Sequence, residues 1–169
     1  MLACLDVDYR DDHAAVACLL FTHWTDEHEV RQLTRRIADV APYVPGEFYK
    51  RELPCLLALL DTISEPLTAI IIDGYVWLSD DKQGLGGYLY ESLDKHVPVI
   101  GVAKTRFHQA PAVPVTRGDS QNPLFITAAG IDPQTAAGYI AQMHGEFRLP
   151  TLLKKVDRLC RDAVFEWEN

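Results

Sequence analysis

No uninterrupted apolar run in the 169 residues approaches the ~20 needed to cross a bilayer, so the sequence predicts no transmembrane helix. No basic stretch with a cleavage site precedes the first strand-like segment, so no secretory leader is expected and the chain reads as cytoplasmic. Cysteine is scarce. Cys4, Cys18, Cys55 and Cys160 show no C-x-x-C spacing, and three of them sit inside apolar segments, which fits buried free thiols in a reducing compartment rather than a disulfide framework. Basic charge is also short, with 16 Lys plus Arg against 24 Asp plus Glu and a formal charge of -8. That balance argues against a protein that simply coats nucleic acid, which relies on a surplus of cations, but leaves room for an enzyme whose metal ligands are themselves acidic. The G-x-S-x-G elbow, the P-loop, the dinucleotide fingerprint and H-E-x-x-H are all missing. His23 and His28 stand five apart around Trp24 and His13 lies in a turn, so no helical zinc motif arises. Repeats and low-complexity segments are absent as well.

What is present is 48% apolar residues in a length that suits one domain over residues 1–169. A chain of this size buries about 70% of the surface exposed on unfolding, enough to fold without staples. Leu2–Tyr9 and Ala14–Phe21 read as strands joined by a four-residue polar turn, an antiparallel hairpin. A connector to Glu29, a mixed segment to Val40 and the loop Pro42-Tyr43-Val44-Pro45-Gly46 follow. Leu53, Leu56, Leu57 and Leu60 then recur at helical spacing from Phe48, with Pro54 expected in the first turn. Leu67–Ile72 is continuously apolar, as in a strand covered on both faces, and runs into Asp73-Gly74. A Gly-rich stretch, a helix over Tyr88–Lys95 and a strand over His96–Val102 complete a crossover unit with parallel strands. Arg106–Pro123 reads as loop with a short strand near Val113–Thr116, and Leu124–Ala128 as a last strand. Asp132-Pro133 opens a helix to about Met143, and Thr151–Trp167 carries an apolar stripe ending at Ala163, Val164 and Trp167. The expected fold is therefore an α/β mixed sheet with an antiparallel N-terminal hairpin, parallel crossover strands and flanking helices.

Ligands in such sheets gather at the carboxyl ends of the strands, where Asp6 and Asp73 fall. Each is flanked by apolar residues, and a desolvated carboxylate must find a cation, a proton or hydrogen bonds. Taken singly, Asp73-Gly74 also reads as an ordinary turn and Asp6 as a partly exposed side chain. Glu52 near a helix start and Asp157 in the terminal helix can complete an acidic cluster. Oxygen ligands of this kind suit Mg²⁺ or Mn²⁺ rather than Zn²⁺. No organic cofactor motif is seen. Lys50, Arg51, Lys104, Arg106, Arg117, Arg148, Lys154 and Lys155 are expected to lie mostly near these segments as a local positive face.

Several blocks together resemble the endonuclease V family of inosine-directed repair nucleases. They are Leu5-Asp6-Val7-Asp8-Tyr9, Tyr43-Val44-Pro45-Gly46 followed by Phe48 and Arg51-Glu52, Ile72-Asp73-Gly74, Gly84-Leu85-Gly86, Gly101-Val102-Ala103-Lys104 and Arg148-Leu149-Pro150 with Asp157. The resemblance implies an RNase H-like fold and a metal-dependent endonuclease that hydrolyses a phosphodiester on the 3′ side of deoxyinosine or inosine in DNA or RNA; the chain is expected to be a monomer. It further implies Asp6 and Asp73 as Mg²⁺ ligands, with Mn²⁺ an alternative, Glu52 as ligand or water-positioning group, and Asp157 as the peripheral acid. Tyr43, with Val44, Pro45 and Gly46, would be the wedge between bases, and Lys104 the group on the scissile phosphate. Read without the resemblance, Tyr43 is a loop aromatic packed on the core and Lys104 a solvated lysine.

Departures from the family pattern are concentrated after Asp73. Val76 stands at a family glycine, Ser79 at its histidine and Asp81 at its arginine, while Leu152 and Lys154 replace a proline and an arginine near the end. The leading helical segment of the family is also missing, which narrows the expected nucleic-acid footprint. These departures leave a second expectation, a catalytically impaired module on the same fold that binds nucleic acid or a protein.

Overall fold

Nearly unbroken apolar runs make the first segments strands whose alternate residues supply two buried faces. In the computed structural model, which describes residues 1–165, β1 (Leu2–Tyr9) and β2 (Ala14–Phe21) form the expected hairpin, pairing from Leu2–Phe21 to Tyr9–Ala14. The mixed segment becomes a third antiparallel strand, β3 (Arg31–Ile37), whose alternation is masked in the sequence by Arg31, Arg35 and Arg36. Charge of that kind is typical of an edge strand, which must not recruit further strands.

Helix α1 spans Phe48–Leu60 and places Pro54 as its seventh residue, not in the first turn as expected. The ring is exposed, so the missing N–H is tolerated on the solvent side. β4 (Ala69–Asp73) is followed by a small hairpin that the sequence pattern had not indicated, β5 (Trp77–Ser79) with β6 (Lys82–Gln83). Helix α2 (Leu85–Ser92) begins three residues before Tyr88, with Gly86 and Gly87 in its first turn rather than in a loop. The reason is close approach: a Cβ on Gly86 would fall 2.6 Å from Val76 Cγ2. β7 (Val99–Ala103), β8 (Val113–Val115) and β9 (Leu124–Ala129) match the remaining strand segments, with β7 starting three residues later than read. Helix α3 (Pro133–Gln142) starts as expected, Asp132 accepting from the Thr135 amide at 2.8 Å.

Helix α4 (Thr151–Asp162) is shorter than the stripe suggested. Ala163 and Val164 lie past its end, Val164 is exposed, and Trp167 lies outside the described residues. Its carboxyl end is closed by the Arg10 guanidinium, which donates to the carbonyls of Cys160 (3.0 Å), Arg161 (2.9 Å) and Ala163 (2.7 Å). A cation at that end satisfies orphan carbonyls and complements the helix dipole.

The seven-stranded sheet has the order β3-β2-β1-β4-β7-β9-β8, with β1, β4 and β7 parallel and the other pairings antiparallel. One face, carrying Leu2, Cys4, Leu19 and Ile71, is covered by α3 and α4. The other, carrying Leu5, Val16, Leu20 and Ile72, is covered by α1 and α2. All four cysteines are buried and free. No helix among the described residues is long and apolar enough to cross a membrane.

Candidate active site

Leu5 and Ile72 are register partners on the parallel strands β1 and β4, so Asp6 and Asp73 are the next residues of neighbouring strands at the carboxyl edge. Asp6 is only 9% exposed, and its Oδ1 accepts from the Val7 amide at 2.9 Å. Burial and then the charge of Asp73 push its carboxyl up to about 7. Glu52, in the second turn of α1, is 5% exposed, and its Oε2 is buried with no hydrogen-bond partner. Burial and then the charges of Asp6 and Asp73 raise it to about 8, against the opposing pull of Arg51. Asp73 opens to solvent and takes the Lys104 ammonium at 2.7 Å. Burial works against the charge on Lys104, but the hydrogen bond and charge of Asp73, helped by Asp6 and Asp157, carry its pKa above the ordinary value. Asp157 projects from α4 and accepts from Arg161 at 2.8 Å, while its charge adds to the upward pressure on Asp6.

The sheet edge thus gathers Asp6, Glu52, Asp73 and Lys104 and sets Asp157 beside them. Among the described residues no three His, Cys, Asp or Glu side chains already stand in a ligating arrangement, and Asp73 pairs with Lys104 and Asp157 with Arg161. The donor set still fits a hard divalent cation. It is all oxygen, two members are buried carboxylates that repel each other, and one buried oxygen has no partner.

The turn that leads into α1 reaches the acids through Gly46, which shares a cleft with Asp73. Tyr43 is 60% exposed and Val44 is exposed beside it; Pro45 and Gly46 complete the turn, with the Glu47 amide donating to the Val44 carbonyl at 3.0 Å. Gly46 has φ +81°, a left-handed conformation that favours glycine. A cleft of about 250 Å³ adjoins Asp73 and is lined by Gly46, Phe48, Tyr49, Tyr75, Gly84 and Tyr88, among others. Tyr49 and Tyr88 stack at 3.8 Å and link α1 to α2 at its wall. The expected positive face is thinner than the sequence suggests. Lys50 pairs with Glu47, Lys155 with Glu29, and Arg117 is buried, its guanidinium spent on main-chain carbonyls.

Residues 1–131 match the family model for endonuclease V. The chain belongs to the endonuclease V family. It is 27% identical to endonuclease V of Streptomyces avermitilis over 184 aligned residues, covering 96% of this chain and 80% of that protein. It is 31% identical to endonuclease V of Rhodospirillum centenum over 137 residues, 68% of this chain and 56% of the relative. The solved structure of the S. avermitilis enzyme superposes with a TM-score of 0.75 at 25% identity, over 95% of this chain and 79% of that one. A Ciona intestinalis endonuclease V, solved with a 24mer DNA containing an inosine followed by a ribo-adenosine, gives 0.78 at 16% identity over 95% and 84%. The endonuclease V match is thus carried by both sequence and fold, and the fold is RNase H-like as the resemblance implied.

Two residues near the acids escaped sequence reasoning. Tyr75 follows Asp73-Gly74; its hydroxyl donates to the Thr105 carbonyl (2.7 Å) and accepts from the Phe107 amide (2.9 Å), tying the loop after β4 to the loop after β7. Tyr9 packs under the Arg51 guanidinium, 3.9 Å from its ring centroid. Burial and then the charge of Glu52 drive the Tyr9 phenol pKa well above its usual range. Three residues from Asp6, Tyr9 falls on the other face of β1, against α1, so the strand spacing gave no signal for it.

Proposed function

We propose that this endonuclease V family member is a metal-dependent endonuclease that hydrolyses a phosphodiester on the 3′ side of deoxyinosine or inosine. The observation that carries the reading is the convergence of Asp6, Glu52 and Asp73 at one sheet edge, with an unpartnered buried oxygen on Glu52 and a lysine against Asp73. Family membership and the inosine-containing DNA bound by the Ciona relative support the substrate class.

Asp6 and Asp73 would hold Mg²⁺ or Mn²⁺, with Glu52 as third ligand or as the group that orients a water, and Asp157 as outlying acid. Such an ion lowers the pKa of bound water and offsets charge on the phosphate. Lys104, released from Asp73 by the incoming substrate, would donate to a non-bridging phosphate oxygen. Glu52 would accept a hydrogen bond from the attacking water and fix its line of approach. Tyr43, backed by Val44 and Pro45 on the Gly46 turn, would wedge between bases and keep the lesion base unstacked. Unstacking is least demanding at a weak pair, which favours inosine sites. The cleft beside Asp73 would receive the extruded base.

Ser79 and Asp81 support a second reading, a module that binds nucleic acid without cutting it. Ser79 closes β5 and Asp81 lies exposed in the following turn, so the family's histidine and arginine have no counterpart there. Labelled single- and double-stranded oligonucleotides with one inosine or deoxyinosine, incubated with Mg²⁺, Mn²⁺ or EDTA, separate the two. Metal-dependent cutting that Asp73→Asn abolishes supports the nuclease. Inosine-dependent binding with no cutting in any metal supports the binding module and refutes the nuclease.

A further inference from the structure

Phe147 is 68% exposed, among the most exposed large apolar side chains described. It sits in the connection between α3 and α4, two residues before Leu149, which lines the small cavity shared with Asp6, Asp73 and Lys104. A bare phenyl ring on an ordinary loop would be mobile, but this loop is held from below. Arg117 donates to the carbonyls of Phe147 (2.8 Å), Gly145 (3.1 Å) and Met143. Gly118 approaches so closely that a Cβ there would fall 2.1 Å from the Glu146 carbonyl oxygen. The Thr151 amide closes the other end on the His144 carbonyl at 2.8 Å. A buried cation is thus devoted to the main-chain carbonyls of the segment that carries the exposed ring.

One cation faces that ring, with the exposed Glu146 as its chain neighbour. The Lys154 ammonium lies 5.5 Å from its centroid, and Arg148 ties the loop to the end of β7 through the carbonyl of Lys104. The loop belongs to the α3–α4 side of the sheet, and through Leu149 it reaches the cavity of Asp6, Asp73 and Lys104, whereas Tyr43 leads into α1 on the opposite side. Aromatic rings beside cations are the usual means of holding unpaired nucleotides, whose base faces are free to stack. In a duplex those faces are covered.

We propose that Phe147 is a stacking platform for an unpaired base of the substrate strand. The inference rests on the nuclease reading for the identity of the strand, but its test does not. Binding of a fluorescein-labelled single-stranded oligonucleotide and of its duplex is measured in EDTA for wild type, Phe147→Ala and Phe147→Trp. Stacking predicts that Phe147→Ala weakens single-strand binding by about 5- to 100-fold, leaves duplex binding within about two-fold, and that Phe147→Trp retains single-strand affinity. Equal losses on both substrates, no loss on either, or a tryptophan variant as weak as alanine would overturn it. Cleavage of an inosine strand by wild type with Mg²⁺ is scored alongside. Absence of cutting refutes the nuclease reading alone, while cutting with a silent Phe147→Ala refutes the platform alone.

Discussion

Neutralising Glu52 while keeping its shape is the sharpest probe of the acidic cluster. In the metal-free protein the folded carboxyl titrates near 8, against 4.5 for an ordinary glutamate. Between these values the folded state holds a proton that the unfolded state has released, so the unfolded state binds fewer protons and stability falls as pH rises. The contribution is fully present below the unfolded value and is lost by the time pH has passed the folded one. A difference of about 3.5, at 1.36 kcal/mol each, bounds the loss at about 5 kcal/mol, of which about 4 kcal/mol develops between about pH 5 and pH 9. For a chain of this length that corresponds to roughly 8–16 °C in Tm. Glu52→Gln removes the titrating group, and its amide supplies a donor toward the neighbouring carboxylates.

Thermal melts of wild type and Glu52→Gln in EDTA should therefore diverge with rising pH, the variant becoming the more stable. Adding Ca²⁺ or Mg²⁺ near pH 8 should restore wild type, because a cation favours the ionised cluster, and should do much less for the variant. Parallel pH profiles for the two proteins, or equal stabilisation by the cation, would refute the assignment of Glu52 to a strained carboxylate cluster.

Other substitutions test the frame. Pro54→Ala restores an N–H to the middle of α1 and should raise stability by about 1–3 kcal/mol in denaturant unfolding; unchanged or lower stability would mean that the helix is adapted to the proline. Gly101→Ala would put a Cβ 2.5 Å from the Gly74 carbonyl oxygen and 2.9 Å from the Val76 amide, so it should destabilise by at least ~2 kcal/mol and reduce cleavage by shifting the Asp73-Gly74 turn. Arg10→Gln removes most of the closure of α4 and should cost about 1–3 kcal/mol, with faster amide exchange over residues 157–162 than over β1.

The sheet was legible because its strands are nearly unbroken apolar runs, and the parallel pairing of β4 with β7 followed from the intervening helix length. What stayed hidden depended on contacts across the chain. The three arginines of β3 mask its alternation until β2 is seen beside it. Gly84–Gly87 read as loop because glycine marks turns locally, whereas here it opens α2 against Val76. The end of α4 is set by Arg10, some 150 residues away in sequence, so no stripe on the helix itself shows where it stops. At the site, Asp6 and Asp73 were visible as acids among apolar residues. The burial of Glu52 and the pairing of Lys104 with Asp73 arise only when α1 and β7 arrive at the same sheet edge.

The departures from the family pattern fall into two physical kinds. Val76, at a family glycine, is fully buried; its amide donates to the Thr127 hydroxyl oxygen at 2.8 Å, and its side chain fills the space over Gly86. That side chain packs the turn after Asp73 against α2. Ser79 and Asp81 belong to the β5–β6 hairpin, which forms its own two-stranded sheet beside the main one. A change there leaves the register of β1, β4 and β7 untouched, and with it the juxtaposition of Asp6 with Asp73. The hairpin is therefore where the chain can lose a histidine and an arginine without losing its acidic centre. Any deficit in cleavage should then appear in phosphate contact and proton transfer, not in cation affinity. Restoring Ser79→His and Asp81→Arg together should raise the cleavage rate while leaving the cation-induced Tm shift unchanged; a change in that shift instead would place the hairpin inside the metal site.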